Sequence, residues 1–347
     1  MAKALIHDLD FDAFSQVLTD LGQPSFRAKQ LWNGLYQQLY TDFSQFSNIP
    51  AGLRAALAEQ YTLTPLTPRT SLRSKDQQTE KTLFGLPDEL SVETVLMRYE
   101  ERNSLCVSTQ VGCPMGCVFC ATGQMGYQRG LSTGEILSQI LFYMRLLQSE
   151  GKSLTNIVYM GMGEPFLNYE ATMASLRRLT DPSALNFGAR RITVSTVGII
   201  PKIERFSREG LQVNLAVSLH AADNELRSQL VPANRLYPLK NLISACRAYT
   251  EETHRRVSFE YALINTVNDT PAAAVQLAGL LKGMLCHVNL IALNPSKHYP
   301  LQGSPREKVH AFAEALSERG IPVTVRLRRG IEIQAGCGQL ASSQNPL

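Results

Sequence analysis

No stretch of the chain approaches the roughly 20 consecutive apolar residues that a membrane span requires. The opening residues, MAKALIHDLDFDAF, lack the basic stretch and apolar run of a secretory signal. No membrane partner is therefore expected, and the expected location is the cytoplasm. Tryptophan is nearly absent: the single residue, Trp32, falls at a helical core position and reads as packing rather than as a platform for bases. Charge of one sign is scarce as well. The formal net charge is +4, too mild to demonstrate a polyanionic partner. What basic excess exists lies downstream, since residues 1–100 hold 9 Lys and Arg against 12 Asp and Glu. Internal repeats and low-complexity tracts are missing too. Seven cysteines in 347 residues point to a reducing compartment, where thiols serve as ligands or reagents rather than staples.

Three of those cysteines stand within eight residues, Cys113, Cys117 and Cys120 in VGCPMGCVFCATG. Thiolates this close on one loop can converge on a single inorganic centre. A structural zinc closes with four ligands, commonly in paired motifs, and no Cys or His follows Cys120 closely. The other cysteines are Cys106, Cys246, Cys286 and Cys337. A cubane of four irons also takes four ligands, so three protein thiolates leave one iron open to another molecule. A vacant iron suits chemistry better than electron storage.

The hydrophobic content of 44% supports one large domain with a smaller companion. Residues 1–100 read as a small amino-terminal accessory domain. Helical spacing covers 11–21, 27–40 and 49–61, the last capped by Asn48, and strand-like runs follow at 81–86 and 91–99 as a short β extension. From Leu105 onward, apolar runs at 105–109, 156–161, 191–196, 213–219, 257–264, 287–293 and 323–328 alternate with amphipathic segments such as 134–148, 239–253, 272–284 and 306–319. That alternation predicts an α/β fold, a parallel sheet with right-handed crossovers in about six units, a partial (β/α)6 barrel. The barrel is expected over 101–335 and a carboxyl-terminal tail over 336–347. Cys246, on a helix, and Cys286, before a strand, read as core.

Active groups in such barrels gather where strands end. The cysteine loop follows the first strand; Gly161-Met162-Gly163-Glu164-Pro165 follows the second, Ser195 ends the third, Ser218-Leu219-His220 the fourth, and Asn294 the sixth. Glycine lets a backbone approach a ligand, and Glu164 can accept from an ammonium group. Ser195, Ser218 and Asn294 can bind a ribose or a carboxylate. Each alone also suits a turn or a cap; together on one rim they read as a ligand site.

The Cys-x3-Cys-x2-Cys loop, the Gly-Met-Gly-Glu-Pro turn and the partial barrel resemble the radical S-adenosylmethionine (SAM) superfamily. A narrower resemblance spans nearly the whole chain. FRAKQLWNGLY, LCVSTQVGCPMGCVFCATG, YMGMGEPFLN, ITVSTVG, VSLHA and the terminal AGCGQL are similar to the RlmN/Cfr family of RNA methyltransferases. The resemblance implies a [4Fe–4S] cluster on Cys113, Cys117 and Cys120, whose open iron takes the amino and carboxylate groups of SAM. It places SAM around Gly163, Glu164, Ser195, Ser218, Leu219, His220 and Asn294. The implied reaction methylates carbon 2 of an adenosine in 23S rRNA and in tRNA with two SAM per turnover; the alternative is carbon 8 of the 23S rRNA adenosine. Carbon 2 of adenine is an electron-poor sp² centre that cannot attack a methyl sulfonium, so a radical route is natural. The resemblance assigns Cys337 an S-methylcysteine intermediate, Cys106 a transient disulfide with Cys337, and Glu93 the role of proton acceptor. It further implies an electron donor such as flavodoxin. Arg177-Arg178, Arg190-Arg191, Arg326, Arg328 and Arg329 are candidate RNA contacts, and the amino-terminal helices are candidate docking parts.

Overall fold

The computed structural model describes residues 3–295 and 300–341, so the end of the expected tail, from 342 on, lies outside the described residues. The amino-terminal part has helical periodicity first and strand periodicity after it. Helix α1 (Phe11–Asp20) starts at Asp10, whose carboxylate accepts from Ala13 N at 2.8 Å, a side-chain N-cap. Helices α2 (Phe26–Tyr36) and α3 (Ala51–Gln60) follow, with Trp32 buried against Phe14 and Tyr36. Helix α2 stops four residues short of the expected Tyr40. Leu39 takes φ 56° and Tyr40 N reaches back to Gly34 O, a left-handed ending that Gln-Gln-Leu does not signal. Helix α3 begins after Pro50 with no side-chain cap, so Asn48 does not play the capping part expected of it.

Strands β1 (Thr67–Arg73), β2 (Thr79–Gly85) and β3 (Ser91–Arg98) pair antiparallel in sequence. Strand β3 then pairs with β4 (Asn103–Cys106), Val95 opposite Cys106. The β extension is thus the continuing edge of the barrel sheet, and a division at residue 100 runs through one hydrogen-bonded ladder. Strand β1 was not anticipated. Its sequence, TPRTSLR, is polar, contains proline and is exposed along its length, as suits an edge strand.

From β4 onward the strands run parallel: β5 (Asn156–Tyr159), β6 (Ile192–Thr196), β7 (Asn214–Ser218), β8 (Val257–Leu263), β9 (Cys286–Ala292) and β10 (Val323–Val325). The crossovers carry α4 (Thr133–Ser149), α5 (Tyr169–Thr180), α6 (Ile200–Ser207), α7 (Asn224–Leu230), α8 (Leu239–Thr253), α9 (Pro271–Leu281) and α10 (Arg306–Ser317). The ten-stranded sheet stays open, with β10 at one edge and β1 at the other. This is the partial (β/α)6 barrel read from the sequence. Period-two alternation sorts the faces: Ile192, Val194, Val288 and Leu290 are fully buried, whereas Ser195, Asn289 and Ile291 between them are only half-buried, with Ser195 and Ile291 on the cavity wall. Cys246 and Cys286 are buried, as read. The accessory helices are fastened to the barrel by Arg178 of α5, which lies 4.2 Å from the Trp32 ring and donates to Tyr36 Oη and Leu9 O. Among the described residues no helix is long and apolar enough to cross a membrane.

Candidate active site

The cysteine loop is pinned at its base. Gln110–Gly112 pairs antiparallel with Tyr127–Gly130, and Cys113 N donates to Gly126 O at 2.9 Å. Gly112 has φ 73°, and a Cβ there would lie 1.9 Å from Gly126 O, so only glycine closes this neck. Between the arms, Cys113, Cys117 and Cys120 project into one cavity with about 1120 Å³ of empty space including its mouth. The turn after β5 reaches the same cavity because Gly163, at φ 105°, crosses directly over Gln110; a Cβ would come within 2.6 Å of the Gln110 side chain.

Gly163, Glu164, Ser195, Ser218, His220 and Asn294, all expected at the strand ends, line this cavity. Leu219 does not. Its side chain is fully buried, its N–H donates to Glu260 O and its C=O accepts from Arg227 Nε, which leaves nothing for a ligand. The Glu164 carboxylate accepts from Phe166 N at 3.0 Å and Val197 N at 2.8 Å, and burial lifts its pKa to about 7. His220 accepts from Ala262 N through Nδ1 at 3.1 Å, and burial lowers its pKa to about 3, so the ring is neutral.

The donor set fits the cluster. Burial pushes the Cys113 thiol up to about 12 and raises Cys117 and Cys120 as well, so the three are thiols until a cation draws off their protons. Among the described residues, no three His, Cys, Asp or Glu side chains stand close enough for a single metal ion; a cubane takes its ligands at separate corners. Asn294 lines the same cavity, and its Oδ1 is buried without a partner, as a position awaiting a donor would be.

The carboxyl-terminal segment closes the other side. Asn294 Nδ2 donates to Cys337 O at 3.1 Å, Gln339 Nε2 to Pro295 O at 2.8 Å, Ala121 N to Gly338 O at 2.8 Å, and Thr122 Oγ1 to Leu340 O at 2.6 Å. Cys337 is thereby docked in the cavity that holds the three loop thiols. Its side chain is exposed to that cavity, and the surrounding protein raises its thiol pKa while Arg326 opposes the rise. Cys106 ends β4 and lines an adjoining cavity together with Cys337; burial, then the neighbouring Cys337, pushes it up to about 12. All seven cysteines are free, so the pair expected to join transiently is apart in this structure.

Glu93 lines neither cavity. Its Oε1 pairs with Lys81 Nζ at 2.8 Å and its Oε2 accepts from Ala341 N at 2.9 Å, while Lys81 Nζ also donates to Gln334 O at 3.2 Å. Burial raises the Glu93 pKa. The buried ion pair on β2 and β3 therefore clasps both ends of the Cys337 segment. Lys81 was not singled out from sequence, nor was Glu260, which lines the main cavity and holds Asn289 Nδ2 at 2.8 Å and Arg326 Nη1 at 3.0 Å. A signal existed for Glu260: it is the lone charge inside the apolar run VSFEYALI. Several candidate RNA contacts are otherwise engaged: Arg178 beneath Trp32, Arg326 against Glu260, Arg177 with Glu209, Arg190 with Gln212, Arg328 with Leu293 O, and Arg329 over the Tyr99 ring.

Thiols on the loop after the first parallel strand of an open (β/α)6 barrel, facing polar groups at successive strand ends, define the radical SAM class of enzymes. The family model described as Radical SAM superfamily matches residues 107–278, and the Ribosomal RNA large subunit methyltransferase N-terminal domain matches 5–63. A protein of Chloroflexus aurantiacus named "Probable dual-specificity RNA methyltransferase RlmN" is 46% identical over 358 residues, covering 98% of this chain and 93% of its own. One of the same name from Geobacillus kaustophilus is 47% identical over 341 residues, with the same coverage. The crystal structure of a radical SAM methyltransferase from Sphaerobacter thermophilus matches with a TM-score of 0.95 and 51% identity, covering 97% of this chain and 99% of that one. The chain belongs to the RlmN family of radical SAM RNA methyltransferases. Membership of the superfamily implies a [4Fe–4S] cluster and SAM as cofactors.

Proposed function

We propose that the protein methylates carbon 2 of a specific adenosine in 23S rRNA and in tRNA, with Cys337 as the carrier of the methyl group, in the cytoplasm and with electrons from a donor such as flavodoxin. One observation carries this reading: Cys337 lines the same cavity as Cys113, Cys117 and Cys120, and a second cavity joins it to Cys106. A radical SAM enzyme acting on a small molecule needs neither of the outlying cysteines.

Cys113, Cys117 and Cys120 are the residues suited to hold the cluster, and Gly163, Glu164, Ser195, Ser218, His220 and Asn294 those suited to surround SAM. Bound there, the two supply a transferable methyl group in one step and a hydrogen-abstracting 5′-deoxyadenosyl radical in another. Cys337 takes the methyl on sulfur and gives up its thiol proton. After hydrogen is removed from that S-methyl group, its carbon bonds to carbon 2 of adenine and tethers the RNA to Cys337. Carbon 2 loses its proton together with one electron, which the cluster left oxidised by SAM cleavage would take up. Glu93, the proton acceptor by resemblance, is paired with Lys81 outside both cavities and would have to leave that pair to receive the proton. Cys106 thiolate then attacks the Cys337 sulfur. The sulfur–carbon bond breaks, a disulfide forms, and the released carbon takes a proton to become the methyl group. Met115, Phe119 and Leu293 on the cavity wall exclude water from these steps.

The test is anaerobic cluster reconstitution followed by incubation with SAM and 23S rRNA fragments or tRNA, then mass spectrometry of the digested nucleosides. The expected product is 2-methyladenosine. Finding 8-methyladenosine alone would overturn the carbon-2 assignment.

A further inference from the structure

Behind the cysteine loop stands a buried guanidinium with no acid to balance it. Arg227 of α7 has no solvent exposure. Its Nε donates to Leu219 O at 3.1 Å, Nη1 to Asn234 Oδ1 at 2.7 Å, and Nη2 to Val197 O at 2.7 Å and Ser218 O at 3.1 Å. All four acceptors are neutral. Among the described residues no carboxylate pairs with it. A lone buried cation is among the most costly groups a fold can hold. Arg178, the other well-buried arginine, at least spreads its charge over two aromatic rings. Among the described residues no aromatic ring takes up the charge of Arg227 in this way.

Its place in the fold says what could balance it. Val118 N donates to Leu230 O at 3.2 Å, and Leu226, Leu230 and Val231 share one apolar cluster with Val118, Phe119 and the cysteines at 117 and 120. Helix α7 is therefore the wall on which the cysteine loop rests. Val197 and Ser218, whose carbonyls hold the guanidinium, line the main cavity. Cys117 packs against the same apolar cluster as Leu226 and Leu230, which stand on either side of Arg227 in α7.

We infer that Arg227 is a positioning residue for the cluster, a fixed positive charge behind Cys117 that offsets the negative charge of the thiolate-bound [4Fe–4S] centre and eases its one-electron reduction. The inference rests on Cys113, Cys117 and Cys120 being the cluster ligands. Reduction adds one electron from an outside reductant, and one negative charge, to the centre. The reduced form therefore gains more from a nearby cation than the oxidised form does, and inside a dry wall that attraction is little screened.

The test is the midpoint potential of the anaerobically reconstituted cluster, followed by electron paramagnetic resonance during titration with dithionite, in wild type, Arg227→Met, Arg227→Lys and Asn234→Leu. Arg227→Met should shift the reduction equilibrium toward the oxidised form by about tenfold, which is about 59 mV for a one-electron couple. Arg227→Lys and Asn234→Leu keep the charge and should titrate close to wild type. Should Arg227→Met fail to fold, Arg227→Gln, which still donates to the carbonyls, carries the same expectation. A neutral variant that loads its cluster and titrates at the wild-type midpoint would overturn the inference. So would a lysine variant that falls as far as methionine, because the carbonyl ties would then be what matters. A wild-type protein that assembles no [4Fe–4S] cluster would instead overturn the ligand reading itself.

Discussion

The two sides of the main cavity are built in opposite ways. The cysteine loop is local: three thiols within eight residues, closed by a glycine neck and a short pair of strands. The facing side is assembled from afar. Cys337 lines the cavity from the terminal segment, and Cys106 at the end of β4 lies in the adjoining cavity. Glu93 and Lys81 on the antiparallel edge clasp the terminal segment from outside both cavities through contacts such as Ala341 N to Glu93 Oε2, which spans 248 positions of the chain. On the proposed function, the local side holds the group that generates reactivity, and the distant side decides what that reactivity reaches.

The sharpest way to break this contrast is to remove one cysteine from each side. Cys117→Ala should lose iron and sulfide on reconstitution together with all SAM cleavage. Cys337→Ala should retain both iron and sulfide and yield no methylated RNA. If Cys337→Ala also failed to bind iron, the two sides would not be separable. Next in size, Cys106→Ala should stall after carbon–carbon bond formation and accumulate a protein–RNA adduct on denaturing gels; free product at the normal rate would remove Cys106 from the chemistry. Lys81→Met leaves the Glu93 carboxylate buried without its cation, which costs about 3 kcal/mol when a buried pair is broken. That loss should appear in urea unfolding, together with faster proteolysis in the 330–341 segment. Unchanged proteolysis would mean that the ion pair does not clasp the tail.

The smallest effect concerns the cofactor side. Burial raises the folded-state pKa of Glu164 to about 7, above its ordinary carboxylate value. Its contribution to stability is thus greatest at acid pH and is lost as pH rises through about 7. Ligand binding runs the other way, since an ammonium group on SAM needs the ionised carboxylate. SAM affinity should therefore tighten roughly tenfold between about pH 6 and pH 8, and be flat in Glu164→Gln. A flat wild-type profile would take Glu164 out of ammonium recognition.

This asymmetry also explains what could be read from the sequence. The parallel barrel was legible because each strand and helix carries its own periodicity, and the rim followed because strand ends are defined by the same runs. The loop thiols were legible from spacing. By contrast, the antiparallel edge was placed with the helices, since nothing in TEKTLFG or SVETVLMR says which neighbour they pair with. Strand β1 was invisible because an exposed edge needs no apolar alternation. Glu93, Cys106 and Cys337 were assigned by family resemblance, and the Lys81 and Ala341 contacts that join Glu93 to the tail depend on topology alone. Arg227 looked like any helical arginine; only its burial, with no acid in reach, separates it from a surface charge.

Mass spectrometry of the peptide carrying Cys337, after incubation of the reconstituted protein with methyl-deuterated SAM in the absence of RNA, tests the central assignment most directly. The Cys337 sulfur should carry one labelled methyl group, which then moves to adenosine when RNA is added. An unmodified Cys337, with labelled 2-methyladenosine still formed, would contradict it.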